Sequence, residues 1–163
     1  MDITYIPISH GFMYLAAIID VHGRLVVGWD VSNTPDADRC KGIAAEAMDR
    51  HGSPELFNTD RGSQFTSRIF TNYLFENKVK ISIDGRGRAK DNIFIERHFG
   101  KLNAALWRSV KQEKIYLNAY ENGRELYVGL KEYFDFYNFK RPHQSLDYKC
   151  PAGFYENFYK KVV

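Results

Sequence analysis

Residues Phe12-Met-Tyr-Leu-Ala-Ala-Ile-Ile19 form a nearly continuous apolar run. A strand with one face in water alternates apolar and polar residues; this one does not, so it is read as a central strand buried on both faces. A sheet built around such a strand has to be covered on both sides. On one side of it, Asp2-Ile-Thr-Tyr-Ile-Pro-Ile8 mixes β-branched and aromatic residues and is closed by Ser9-His-Gly11. On the other, Asp20-Val-His-Gly23 supplies a glycine-containing hairpin turn into Leu25-Val-Val-Gly-Trp-Asp-Val31. The chain therefore opens with a meander of three strands.

Helical patterns follow that can do the covering. Thr34-Pro35-Asp36 predicts a helix start, with Thr34 as the capping hydroxyl and Gly52 as the stop. Ile43, Ala44, Ala47 and Met48 give that helix one inward face. Glu55 to Asn58 reads as a short strand and Phe65 to Glu76 as a second helix, with Ile69, Tyr73 and Leu74 inward. Val79 to Ile83 alternates as a half-buried strand. Asp91 can cap a long helix whose stripe is Ile95, Phe99, Leu102, Leu106 and Val110. A last helix is expected from about Ala119 to Phe139, stopped by Arg141-Pro142. The order βββαβαβαα predicts an α/β fold with a mixed five-stranded sheet flanked by helices.

At 163 residues, 44% of them hydrophobic, the chain reads as one domain with a real core. No apolar run is long enough to span a membrane, and no leader pattern is present. Cys40 and Cys150 lack paired spacing and read as inert thiols of a reducing compartment. The five histidines are scattered and suggest no zinc site. The net charge is only +3, but residues 86–149 hold thirteen Lys/Arg against eight Asp/Glu. That half is either a polyanion-facing side or simply a set of Lys-rich helix surfaces; charge alone does not choose.

Three acids stand in segments that look chemical. Asp60 lies in Phe57-Asn-Thr-Asp-Arg-Gly-Ser-Gln-Phe-Thr-Ser67, where a strand end runs into a polar turn. Glu96 lies in Gly85-Arg-Gly-Arg-Ala-Lys-Asp-Asn92-Ile-Phe-Ile-Glu-Arg97, where a basic, glycine-containing loop opens onto a helix. Asp2 begins the first strand. Taken singly, Asp60 is an ordinary turn residue and Glu96 an ordinary dipole-compensating acid. Together they suit hard divalent cations, which take oxygen ligands. Two such ions about 3.5–4 Å apart would serve in-line phosphodiester displacement. Asp20 and Asp84 read as turn residues, Asn92 as a buttress of the loop. Gly85 and Gly87 could act as a hinge, and Arg86, Arg88 and Lys90 as phosphate contacts.

These segments, with Val26-Val-Gly-Trp29 and Arg141-Pro-His-Gln-Ser-Leu146, resemble the catalytic core of DDE-type insertion-sequence transposases, relatives of the retroviral integrases. The resemblance covers nearly the whole chain. It implies a ribonuclease H-like fold, Mg2+ or Mn2+ as cofactor, and cleavage and joining of DNA strands. It also implies a bacterial, cytoplasmic, nucleoid-associated protein that works as a homo-oligomer on transposon ends and target DNA. The catalytic and metal-binding triad falls on Asp2, Asp60 and Glu96. Expected DNA contacts are Arg86, Arg88, Lys90, Lys101, Arg108, Lys111 and Arg141. For Arg141 and His143 a second reading stays open: a rigid turn that docks the C-terminal stretch.

The sequence departs from the pattern in three places. Only Met1 precedes Asp2, so this acid is expected to fray. No helix-turn-helix pattern for end recognition is present. Related sequences run Glu-Arg-Leu-Trp-Arg-Ser-Val-Lys without a break, whereas here Glu96-Arg97 and Leu106 to Lys111 are split by residues 98–105. The basic residue expected two turns after the glutamate is Asn103, and Lys111 stands about 22 Å further along the helix than Glu96. Two alternatives therefore stay beside the transposase reading: a folded remnant that binds DNA or dimerises without catalysis, and a ribonuclease H-type nuclease.

Overall fold

The apolar run is the middle strand of an antiparallel sheet. In the computed structural model, which describes residues 1–83 and 90–159 and only the backbone of 90–98, β2 (Gly11–Ile19) pairs with β1 (Asp2–Ile8) and β3 (Val26–Ser32). Its side chains alternate between two cores, as a strand buried on both faces must. Leu15, Ala17 and Ile19 join one core with Leu106, Val110, Leu130 and Phe134. Ala16 and Ile18 join the other with Ile43, Ala44, Phe70 and Leu74.

The two remaining expected strands are present as a short parallel pair. β4 (Leu56–Thr59) pairs with β5 (Lys80–Ile83), Phe57 opposite Ile81 and Asn58 opposite Ser82. The five strands thus form hydrogen-bonded ladders of three and two. The two sheets meet where the Met1 ammonium donates to the Asn58 carbonyl at 2.7 Å.

Local chemistry moves several helix boundaries from where sequence patterning predicts them. Helix α1 (Ala37–His51) is capped by Asp36, not Thr34. The Asp36 carboxylate accepts from Arg39 N at 2.8 Å, and the Thr34 hydroxyl donates to it at 3.0 Å. A charged acceptor at that place also meets the helix dipole. Gly52, at φ 84°, ends the helix as expected. The single helix expected from Phe65 is two, α2 (Ser63–Thr66) and α3 (Arg68–Glu76). Ser67 breaks them by turning extended (ψ 148°) and accepting from Phe70 N with its hydroxyl. The break rotates the inward face, so Phe70 is fully buried while Ile69 is 47% exposed.

Helix α4 (Lys90–Val110) runs without interruption through the split in the motif and continues as a π-helical turn over Lys111–Ile115. Of its stripe, Leu102, Leu106 and Val110 are buried and Phe99 is half-buried. Asp91, expected as the cap, lies inside the helix, and its side chain and that of Ile95 are outside the described residues. Helix α5 (Gly123–Phe139) starts later than expected because Asn122 caps it, accepting from Arg124 N and Glu125 N. Glu125 reaches back to Glu121 N and to the Asn122 amide, a reciprocal cap. A 3-10 turn (Gln144–Leu146) and helix α6 (Pro151–Tyr159) follow. Tyr159 at the end of α6 donates to Asp20 at 3.1 Å, and Asp20 accepts from Gly23 N within its turn.

Candidate carboxylate site

Asp2 is held, contrary to the expected fraying. It pairs with Ala17 as the first residue of β1. Met1 before it is buried, 7% exposed, among residues that include Phe57 and Phe65. One Asp2 carboxylate oxygen accepts from Ile3 N at 2.8 Å and the other from Trp107 Nε1 at 2.8 Å. The second bond spans 105 residues and brings helix α4 down onto the start of the sheet. Alternation along β1 explains why it can form. Asp2 shares a face with Ile6 and Ile8, and that face packs against α4 and α5.

Asp60 follows β4 directly. Thr59 before it is fully buried and Asn58 is 5% exposed, its amide donating to Ser82 Oγ at 3.4 Å. Asp60 itself is exposed, and its Oδ1 accepts from Gly62 N at 2.9 Å, a turn that leads into α2. The Met1–Asn58 bond thus joins the residue before Asp2 to one two places before Asp60. Cys40 of α1 lies beneath them. Burial pushes its thiol up to about 12, helped by the Asp36 and Asp60 carboxylates, while the chain-terminal ammonium pulls the other way. That thiol is inert at neutral pH.

Glu96 belongs to α4, and its side chain lies outside the described residues. Its backbone stands eleven residues before Trp107, about 16 Å along the helix axis. Among the described residues no three His, Cys, Asp or Glu side chains converge. One hydrogen bond per oxygen leaves a carboxylate a second lone pair, so Asp2 and Asp60 both retain the means to ligate a cation. The described part of α4 adds no acid beside them. Asp2 and Asp60 are thus the expected ligands whose side chains the structure describes, and both keep free lone pairs for a divalent ion.

The cations expected to meet DNA fall into three groups. Arg86 and Arg88 lie outside the described residues, as does the side chain of Lys90. Lys101 and Arg108 are exposed on α4, and Lys111 is half-buried where the π turn begins. Arg141 is committed elsewhere. Its Nε and Nη2 donate to the two Glu113 oxygens at 2.9 and 2.6 Å, and Nη1 lies 3.4 Å from His143 Nε2. Tyr133 Oη donates to the same carboxylate at 3.0 Å. Burial works against the Glu113 charge, but the bonds from Arg141 and Tyr133 outweigh it and hold its pKa below the ordinary value. This favours the rigid-turn reading of Arg141-Pro-His143, with the Arg141 guanidinium committed to Glu113.

Trp107 is the residue that sequence reasoning passed over. Its segment carries one of the sequence motifs, but the acceptor that its half-buried indole N–H needs is visible only in the fold.

Two family models, each described as an integrase core domain, match the chain, one over residues 1–89 and the other over residues 77–151. The chain belongs to the integrase core domain family. It is 33% identical over 156 residues to the transposase for insertion sequence element IS904 of Lactococcus lactis subsp. lactis (strain IL1403), covering 94% of this chain and 58% of that protein. It is 27% identical over 165 residues to the putative transposase InsK for insertion sequence element IS150 of Escherichia coli (strain K12), covering 99% and 55%. This integrase core thus spans little more than half the length of those transposases. Its fold is ribonuclease H-like. The HTLV-2 integrase catalytic core domain in complex with magnesium (dimeric form) superposes with a TM-score of 0.63 at 15% identity, over 94% of this chain and 92% of that one. The catalytic core domain of BIV integrase gives 0.60 at 15% identity, over 99% and 97%.

Proposed function

We propose that this integrase core is the part of a DNA transposase that cuts and joins phosphodiesters, with Asp2 and Asp60 as the paired acids of its metal site. The resemblance names Glu96 as the third. The reading is carried by one observation: the Trp107–Asp2 bond seats helix α4 against the strand that bears the first acid. A divalent cation bound there would polarise a phosphoryl oxygen and activate a nucleophile at neutral pH. The chain's own contribution is to hold the acids. Trp107 and Ile3 N fix the Asp2 carboxylate in one orientation, and the Gly62 turn fixes Asp60 in an open, solvent-facing position. Lys101, Arg108 and Lys111 on one helix, with Arg86, Arg88 and Lys90 before it, are the proposed contacts to DNA phosphates. Such contacts would position DNA without reading its sequence. Assembly of copies on DNA belongs to the same proposal.

The test follows thermal stability and cleavage of duplex DNA while Mn2+ or Mg2+ is added. The wild-type chain should gain stability and cut DNA in a metal-dependent way, and Asp60→Asn should lose both with its metal-free stability unchanged. Cleavage retained by Asp60→Asn would remove the site assignment. Cleavage of RNA–DNA hybrids with none of duplex DNA would replace the transposase reading by the nuclease one. The ten residues between Glu96 and Trp107 favour a second reading, a core that binds DNA without completing the reaction.

A further inference from the structure

Backbone direction along β2 and β4 shows what the space between the two ladders can hold. On β2, Asp20 N donates to Leu25 O at 2.8 Å, so the Asp20 backbone faces β3. Val26 lies opposite Ile19 but turns its own N–H and C=O to the Asn138 side chain, at 3.0 and 2.9 Å. Successive strand residues point their backbone groups to opposite edges. The Ile19 N–H and C=O therefore point away from β3, to the side where β1 lies. β1 does not reach them: its ladder with β2 ends at Asp2 opposite Ala17, two residues short of Ile19.

β4 is arranged the same way. Glu55 O accepts from Lys80 N of β5 at 3.0 Å, whereas Asn58 O accepts from Met1 N at 2.7 Å. Leu56 is in step with Asn58, so its backbone groups also face the β1 side, two residues before the Met1 contact. Ile19 and Leu56 are thus facing walls of one lane, and β1 fills only its inner end. Where β1 does lie between β2 and β4, two strand spacings separate them, about 9–10 Å. That is room for one strand. Past Met1 the lane continues as a cleft of about 490 Å³. Met48 of α1 and Phe99 of α4 line it, and so do Asp20 and Glu55, next to Ile19 and Leu56 on the side away from Met1.

We propose that this lane is a docking site for an extended strand of another polypeptide. The strand runs in line with β1, antiparallel to β2 and parallel to β4, and its backbone pairs with Ile19 on one side and Leu56 on the other. Its side chains are apolar on both faces, because β2 beside it alternates between the two cores. Its end beside Asp20 and Glu55 carries a Lys or Arg. A docked strand joins the ladders of three and two into one continuous sheet. Nothing in this depends on Asp2 or Asp60 as metal ligands.

The test adds the peptide acetyl-Lys-Val-Ile-Val-Val-amide to the 163-residue chain, with acetyl-Lys-Val-Pro-Val-Pro-amide as the control that cannot complete a ladder. Amide exchange is followed by NMR and thermal stability by calorimetry. The first peptide should slow exchange of the Ile19 and Leu56 amides by about tenfold or more and raise the melting midpoint. The proline peptide should do neither. Leu56→Pro removes an N–H that faces the lane and not β5, at the first residue of a strand, where proline is tolerated. That variant should fold and lose the response to the peptide; the proline peptide keeps the test decisive if it does not fold. Unchanged exchange of both amides at about 1 mM peptide would overturn the proposal, and so would equal effects of the two peptides. If raising the concentration of the chain itself protects the same amides and excludes the peptide, a second copy takes the lane and the proposal falls.

Discussion

Thr59 and His143 show how single buried groups set limits on this chain. The Thr59 hydroxyl is fully buried and finds no partner among the described residues. An unmade buried hydrogen bond costs stability, so replacing the group by an isosteric apolar one removes a penalty. Thr59→Val should be neutral or stabilising by up to about 1 kcal/mol in urea denaturation; a clear loss would mean that the hydroxyl has a partner. His143 is 7% exposed and stands edge-on to Tyr137, with ring centroids 4.8 Å apart. Burial, with Arg141 beside it, lowers its pKa to about 4. The unfolded chain takes up that proton near the ordinary value of about 6.5. Because the folded pKa is the lower one, the contribution is complete above about pH 6.5 and is lost as pH falls toward 4. Denaturation between about pH 7 and 5 should show wild type losing more stability than His143→Gln, by up to about 1.4 kcal/mol per pH unit. Equal losses would place the titration elsewhere.

At the scale of elements, the strands and several helix C-termini were legible, and most helix starts were not. An uninterrupted apolar run can only be a strand or helix with no wet side, and its length of eight with turns at both ends selects a strand. Asp2, Asp60 and Glu96 were equally visible, because each stands inside a recognisable motif. Ser67 and Asn122 were not, since a hydroxyl or amide in a polar stretch becomes a cap only when the chain turns extended there. The cap energies are testable. Asn122→Ala leaves Arg124 N and Glu125 N without their acceptor and should cost about 1 kcal/mol of stability. A cost near zero would mean that Glu125 alone holds the helix start. Gly129 on α5 makes a similar point about packing. A Cβ there would lie 2.5 Å from Tyr120 Oη and 2.7 Å from its ring. Tyr120 is buried, so Gly129→Ala should cost about 1–3 kcal/mol by overpacking, seen as a lower midpoint of thermal melting. The Trp107–Asp2 contact was illegible for a different reason. It joins residues 105 positions apart, and local pattern carries no record of which indole meets which acid.

At the scale of the molecule, the Arg141 clamp ties the end of α5 to the π turn that finishes α4, and through α4 to the first acid. Among the described residues, Arg141→Ala leaves Glu113 with Tyr133 as its side-chain donor. The cost should be about 1–2 kcal/mol, moderate because the pair is partly in water. DNA affinity, measured by fluorescence anisotropy with a labelled duplex, should not change beyond that loss of folded protein. A steep fall in affinity with stability intact would return Arg141 to the DNA surface. No helix among the described residues is long and apolar enough to cross a membrane.

The division of the strands into ladders of three and two has a mechanical meaning. Asp2 opens a strand of the first ladder and Asp60 follows a strand of the second. The paired acids therefore ride on separate leaves, and any breathing between those leaves changes the gap between their carboxylates. A cation held by both would act as a rivet across the join, and the join would in turn set which ionic radius the rivet could have.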